Sequence, residues 1–483
     1  MTLNGSLFFA PQTPLPFFSR SVLPSHCTFK GECEFSWLQQ ITLFLTDRTS
    51  CLILGGGLAG LSAAYHLKSD YILCEASDEF GGAARSFTRN GFTFDLAIHI
   101  LFSSDPEATA LIHKILGKNF VTSKRSSWIY SKNSYTRYPY QANMFGLPQE
   151  VVRENVNGYL NAFFDRADAP PPRNFEEWIH WMYGGGIAKN FMLPFNRKVW
   201  AYELDRMSSA WLDGRVPLPG PLDILRGAFE ENPNSYGPNH EFWYPRTGGI
   251  GSLATSLASR LEYLHSNMRC RSIDLQTRIA RFTDGREIEF EHLISTIPLP
   301  KLITLLNAPP IVQAVTERLR FNKVVTVNLG IARESISDKH WIYFPEDEFL
   351  FQRVSFPMNL AEKMAPDGTS SILAEISLRA TEAVDTERMI DQTISGLIHA
   401  EILREDDSLL VREARVIDPA YVIPDLDHEE NTKRIHAYLD SVEIISCGRF
   451  GAWQYLNMDH ALLSGKRAAE RVDRRVPDLQ ITV

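Results

Sequence analysis

Residues 51–75 read CLILGGGLAGLSAAYHLKSDYILCE. An apolar run at 51–54 meets the glycine-rich turn GGGLAG at 55–60. A helical stretch at 61–67 follows, then a second short apolar run at 71–74, closed by Glu75. This is the order that a dinucleotide-binding βαβ unit requires. Gly55 allows the tight turn, Gly57 lets backbone approach a pyrophosphate, and Gly60 lets the helix pack close to the strand. Leu58 and Ala59, within this turn, are read as cofactor-binding with the glycines, and the N-terminus of the helix that follows offers unpaired N–H groups and a positive dipole end to phosphate oxygens. Glu75 follows Gly55 by twenty residues, where an acid can accept hydrogen bonds from a ribose. A glycine-rich turn alone is weak evidence, but strand, helix, second strand and acid together favour a bound dinucleotide.

Six residues beyond Glu75 comes GGAARS at 81–86. A glycine pair followed by an arginine, just after the ribose acid, resembles the second fingerprint of FAD enzymes of the amine-oxidase and protoporphyrinogen-oxidase superfamily. NAD dehydrogenases usually lack it. Gly82 brings backbone amides to the cofactor, and Arg85 can neutralise a phosphate. The cofactor expected is therefore FAD.

A chain of 483 residues suits two or three domains rather than one core. With 44% hydrophobic and 22% charged residues it has a soluble globular balance. A net charge of −9 offers no basic field to a nucleic-acid backbone, so local arginines must meet any anionic ligand. The six cysteines, at 27, 33, 51, 74, 270 and 447, show no paired metal spacing. Cys51, Cys74 and Cys447 lie in apolar runs, as small buried hydrophobes do, which fits a reduced, cytoplasmic compartment. No apolar run is long enough to cross a bilayer.

Residues 1–48 are rich in Phe, Pro and Ser without a defensible period, and no basic segment leads them. The next methionine after Met1 is Met144. Translation is expected to begin near Leu45 from a non-ATG codon, leaving most of the first 44 residues non-native. Intact-mass analysis of protein made from its own gene tests this, and the alternative is a genuine, partly disordered extension.

The rest divides into a cofactor domain (49–104, 241–309 and 441–475), a mainly helical domain (105–240) and an antiparallel-sheet domain (310–440). Residues 91–101, GFTFDLAIHIL, alternate like a strand and carry His99 towards the cofactor. Helices are expected over 148–164 and 174–181, and strands over 324–333, 341–344 and 372–377. Near the end, a buried strand over 443–448 leads into GRFGAWQY at 448–455 and a last helix over 461–471. That second strand–glycine–helix unit would bring Gly448, Arg449 and Met458 to the same cofactor.

FMLPFNRKVW at 191–200 and MSSAWLDGR at 207–215 resemble the helical substrate domain of UDP-galactopyranose mutases, particularly the eukaryotic type. So do YPRTGG at 244–249, DKHWIYFPED at 338–347 and the GRFGAWQY…MDH stretch. The likeness runs in order over roughly residues 50 to 472. It implies a Rossmann-like α/β flavoprotein of the GR2 type, with a helical insertion and a second, antiparallel sheet. It also implies mutase activity, the redox-neutral pyranose–furanose interconversion of a nucleotide sugar, with N5 of reduced FAD as nucleophile at the anomeric carbon. NAD(P)H or another donor would reduce the flavin, and a homo-oligomer is possible.

The same resemblance assigns His99 to the flavin face and Arg215 and Arg333 to the substrate pyrophosphate, which the planar, permanently charged guanidinium suits. Tyr421 and Tyr455 become phosphate-binding tyrosines. Tyr138, Gln141 and Asn143 fall at the uridine, and Trp200 and Asn457 at the sugar. The family carries a glycine pair before its flavin-facing histidine, whereas here Ala97 and Ile98 precede His99. The competing reading is an FAD-dependent oxidoreductase of the amine or porphyrinogen type, and a third is a non-catalytic FAD-binding protein.

Overall fold

The computed structural model describes residues 47–212, 216–232, 236–237 and 239–475. Residues 1–46 of the expected extension, Arg215 and the last eight residues fall outside that set, while Asp47 and Arg48 already belong to the first strand. All described residues belong to one compact unit, Leu45–Val483.

The first sheet has seven strands. At its centre Asp47–Leu54 pairs in parallel with both Tyr71–Cys74 and Glu287–Ser295, and Ile444–Ser446 extends the parallel set. Cys51, Leu52, Ile53 and Leu54 are all buried. The alternation shows why: Cys51 and Ile53 enter one core, Leu52 and Leu54 the other. A strand covered on both faces must read as a continuous apolar run. The helix Leu58–His66 lies on the first core against Met458–Asp473, close enough that a Cβ on Gly465 would sit 2.0 Å from Ala59 O. Ser62 Oγ also donates to Leu462 O at 2.6 Å. The end of the chain is thus clamped onto its first helix.

The second sheet has eight strands, in the order Leu409–Ile417, Arg320–Ile331, Ser370–Arg379, Arg353–Ser355, Trp341–Tyr343, Ser127–Ser131, Ser134–Arg137, with Val422–Ile423 beside Arg320–Ile331. Val325, Val327, Leu329 and Ile331 point into a core roofed by Thr386–His399. Period-two alternation sends Thr326 and Asn328 to the opposite face, along with Glu375, the register partner of both Thr326 and Arg353.

Three expectations are corrected. Residues 105–240 are not simply helical, because Ser127–Ser131 and Ser134–Arg137 form a hairpin that joins the second sheet. Its two-residue turn places Lys132 at φ 54° and Asn133 at φ 56°, a geometry that matches strand twist. The helix expected over 174–181 runs over Phe175–Ile187. Gly184, at φ 71°, kinks the helical path within that span, and it packs closely on Gln149–Asp165: a Cβ there would lie 1.9 Å from Gly158 O. Finally, the strand expected through His99 is only Phe92–Asp95. Asp95 is buried and accepts from Ser86 Oγ (2.7 Å), Tyr244 OH (2.8 Å) and Ile250 N (3.0 Å). Pinned there, the chain leaves the strand, and His99 rides in the loop that follows.

Candidate functional site

A cavity of about 1100 Å³ runs from the first glycine turn to the second sheet. One end is built of backbone. Gly55 takes φ +101°, and Gly57 begins the helix Leu58–His66 without a side-chain cap, so the first-turn N–H groups keep no side-chain acceptor. Gly57, Leu58 and Ala59 line the cavity, as do Glu75 and Gly82. The two fingerprints touch: Gly81 N donates to Gly56 O at 2.8 Å, and a Cβ on Gly82 would lie 3.2 Å from Gly57 Cα. Glu75 Oε2 accepts from Gly56 N at 2.7 Å, holding the acid at the end of its strand. Gly448, at φ +77°, closes in from the far end of the chain, where a Cβ would stand 2.6 Å from Ala59 Cβ. An uncapped helix N-terminus, bare glycines at the closest approach and a strand-end acid fit FAD.

Two residues expected at the cofactor are absent from the cavity lining. Gly60 faces the strand, where a Cβ would lie 1.9 Å from Gly55 O; its part is helix packing. Arg85 folds back on its own turn, donating from Nε to Gly82 O at 3.0 Å with Glu79 at 4.0 Å. It braces the second fingerprint from behind.

His99 lines the middle of the cavity. Its Nδ1 sits 2.8 Å from Ala97 O, and a carbonyl can only accept, so Nδ1 carries the proton and Nε2 is left as an acceptor. Burial pulls its pKa down to about 4, and Arg449 and Arg353 add to this, so the ring is neutral at physiological pH.

The other end is built of side chains. Tyr138, Tyr343, Arg353, Tyr421, Arg449, Tyr455 and Asn457 all line it. Tyr421 and Tyr455 stack with ring centroids 6.0 Å apart, and Arg449 lies 5.1 and 5.0 Å from their centroids. Arg449 donates from a terminal nitrogen to Ala420 O at 3.2 Å, while its buried Nε has no partner among the described residues. Burial and Glu375 push the Tyr421 phenol well up, so it remains a neutral O–H donor. Arg353 is paired with Glu375, whose carboxylate is buried; burial opposes the Arg353 charge and Glu375 restores it.

Arg353 lines the cavity, and Arg333, which was expected there, does not. Arg333 lies two residues beyond the end of Arg320–Ile331, held by Asp407 at 2.7 and 2.6 Å and by Ile402 O at 3.2 Å, outside the cavity lining. The sequence did carry a signal for Arg353. Glu375 is an acid inside the apolar strand SSILAEISLR, and a buried acid requires a cation on a neighbouring strand.

Three further residues brace the wall without lining it. Gln141 Nε2 donates to Pro217 O at 2.9 Å, and Asn143 Nδ2 to Pro139 O at 2.9 Å. Trp200 is buried behind the tyrosine pair, its ring 5.9 Å from each of Tyr421 and Tyr455. Met458 lines the cavity at the start of the last helix.

Comparison with known proteins finds flavin containing amine oxidoreductase over residues 58–397. The chain belongs to that family. It is accordingly a flavoprotein, and its cofactor is FAD. Among solved structures, a reduced UDP-galactopyranose mutase superposes with a TM-score of 0.83 at 27% identity, covering 89% of this chain and 94% of that one. A putative protoporphyrinogen oxidase from Exiguobacterium sp. 255-15 shares the fold at TM-score 0.69 and 15% identity, covering 89% of this chain and 99% of that one. Among curated proteins, the coproporphyrinogen III oxidase of Bacillus subtilis is 16% identical over 370 residues, 69% of this chain and 78% of that protein. Among the described residues no helix is long and apolar enough to cross a membrane, and no cluster of His, Cys, Asp and Glu could hold a metal ion.

Proposed function

We propose that this protein is a flavin-dependent nucleotide-sugar mutase, interconverting pyranose and furanose rings without net redox change. The observation that carries this is the shared cavity: Arg353 and the Tyr421–Tyr455 pair face the same space as the FAD cradle. An oxidase of apolar substrates has no use for a guanidinium and two phenols converging beside the flavin, whereas a diphosphate needs them. The 27% identity to a UDP-galactopyranose mutase over 94% of that chain supports the reading.

FAD in its reduced form would supply a nucleophile, N5, for the anomeric carbon of the sugar. The protein's part is to hold the diphosphate as it departs and returns. Arg353 takes the position assigned above to Arg333, with Tyr421 and Tyr455 donating alongside and Arg215 as a second guanidinium. Each charged hydrogen bond contributes about 1.5–3 kcal/mol. Tyr138 and Tyr343, with rings 5.2 Å apart, offer a face to the nucleoside base. Neutral His99 and Asn457 sit towards the sugar and flavin. A flavin-reducing partner such as NAD(P)H completes the cycle.

The test is to incubate dithionite-reduced protein with a panel of nucleotide sugars and to follow ring isomerisation by chromatography. Isomerisation by reduced but not oxidised protein is the expected result. Failure with every nucleotide sugar, together with flavin-dependent consumption of a porphyrinogen or an amine, would move the protein to the oxidase reading, which its curated relative favours.

A further inference from the structure

We propose that Lys198 is a positioning residue for the diphosphate wall, filling with its own ammonium a carbonyl cage that would otherwise suit a monovalent cation. This rests on the nucleotide-sugar reading for its ligand, although not for its geometry. Lys198 lies in the last turn of the helix Leu193–Trp200, where a lysine normally reaches water. Here it turns inward, and Nζ lies 2.8 Å from Phe344 O, 2.9 Å from Glu346 O, 2.7 Å from Phe349 O and 2.7 Å from Phe351 O. An ammonium has three protons, so four carbonyls at these distances coordinate it as they would a bare ion. The aromatic side chains of Phe344, Phe349 and Phe351 are buried in the core on the other side, which turns their carbonyls towards the lysine. Burial works against the charge and lowers the pKa to about 7, against the pull of the carboxylates of Asp347, Glu346 and Glu348 on the same loop, so the ammonium form prevails below neutrality.

The loop so gathered joins Trp341–Tyr343 to Arg353–Ser355, strands of three residues each. The last paired rung before the loop is Tyr343 with Arg353, both of which line the cavity. The strand Arg353–Ser355 is paired on both sides and Glu375 holds the guanidinium; the caged loop fixes the chain that enters this strand and so contributes to where Arg353 stands. Two residues beyond Lys198, Trp200 backs Tyr421 and Tyr455. Asn322 completes the link, donating to Val199 O at 3.1 Å and Trp200 O at 3.0 Å while accepting from Tyr421 N at 2.9 Å. One ammonium thus ties the arginine side of the wall to its tyrosine side.

The experiment compares wild type with Lys198→Ala and Lys198→Met, reading FAD content and the dissociation constant for UDP in different chloride salts at equal ionic strength. In Lys198→Ala, FAD is retained and UDP binding weakens at least tenfold in tetramethylammonium chloride. Potassium, ammonium or propylammonium, the fragment that replaces the deleted atoms, restores it. In Lys198→Met the stem blocks the cage and no salt restores binding. Unchanged UDP binding in Lys198→Ala, or a loss equal in every salt, overturns the proposal. If the variants do not fold, refolding yield is read in the same salts: dependence on potassium or propylammonium supports the cage, and independence overturns it. If wild type itself does not bind UDP, the nucleotide-sugar reading falls and hydrogen exchange over residues 344–351 decides instead. Faster exchange in Lys198→Ala that slows in potassium or propylammonium supports the cage, and exchange equal to wild type overturns it.

Discussion

The two ends of the cavity are made of different material. The cofactor end is backbone: glycines from three turns approach one another and the helix Leu58–His66 until no side chain fits between them. The other end is side chain: a guanidinium, two stacked phenols and a second arginine, delivered by separate segments and held by partners behind them. Backbone sites depend on the absence of atoms and fail abruptly when one is added. Side-chain sites depend on sums of contacts and fail by degrees.

The largest expected effects therefore lie in the cradle. Gly57→Val should give a folded, colourless protein, because a Cβ there meets nothing nearer than Gly82 Cα at 3.9 Å and so projects into the cofactor's space. Gly60→Val, 1.9 Å from Gly55 O, should give no folded protein at all. Flavin absorbance and circular dichroism separate the two, and a yellow Gly57→Val protein would refute the cradle.

On the wall, Glu375→Ala strands the Arg353 charge. Breaking a buried pair costs about 3–5 kcal/mol, measurable by denaturant unfolding. A loss below about 1 kcal/mol, the range of a surface pair, would show that water reaches Arg353 freely.

Asp95 tests the rear of the cradle through pH. Burial raises its pKa from 3.8 to about 6. A raised folded value means that the proton is held more tightly in the native state, so this contribution is complete below about pH 4 and lost as pH rises to about 6. The loss is about 3 kcal/mol, and Asp95→Asn should flatten that part of the stability profile. An unchanged profile would place the titration elsewhere.

The smallest effects sharpen the difference between two arginines. Arg353→Ala should weaken UDP binding by about 1.5–3 kcal/mol. Arg333→Ala should leave it unchanged, since its guanidinium is engaged by Asp407 and Ile402 O. Equal effects from both would dissolve the distinction.

Apart from Gly448, the cradle was legible because its requirements are local. A tight turn, a close approach and a strand-end acid fall within residues 51–86, and the residue types follow from backbone geometry alone. The family likeness carried the rest of the chain's plan, including Tyr421, Tyr455 and Asn457. The hairpin over residues 127–137 and the resumption of helix beyond the kink at Gly184 were not legible, because strand partners and helix contacts far along the chain decided them.

By itself the sequence determined the βαβ unit, the glycine turns and the dinucleotide they admit, because these depend on steric freedom within a few residues. Only the tertiary structure brought Arg353 rather than Arg333 to the cavity, left Gln141, Asn143 and Trp200 outside its lining, and set Lys198 among four carbonyls. An arginine's reach, and the acid that holds it, depend on which strands lie side by side, and that pairing is settled by the burial of whole sheets rather than by any local pattern.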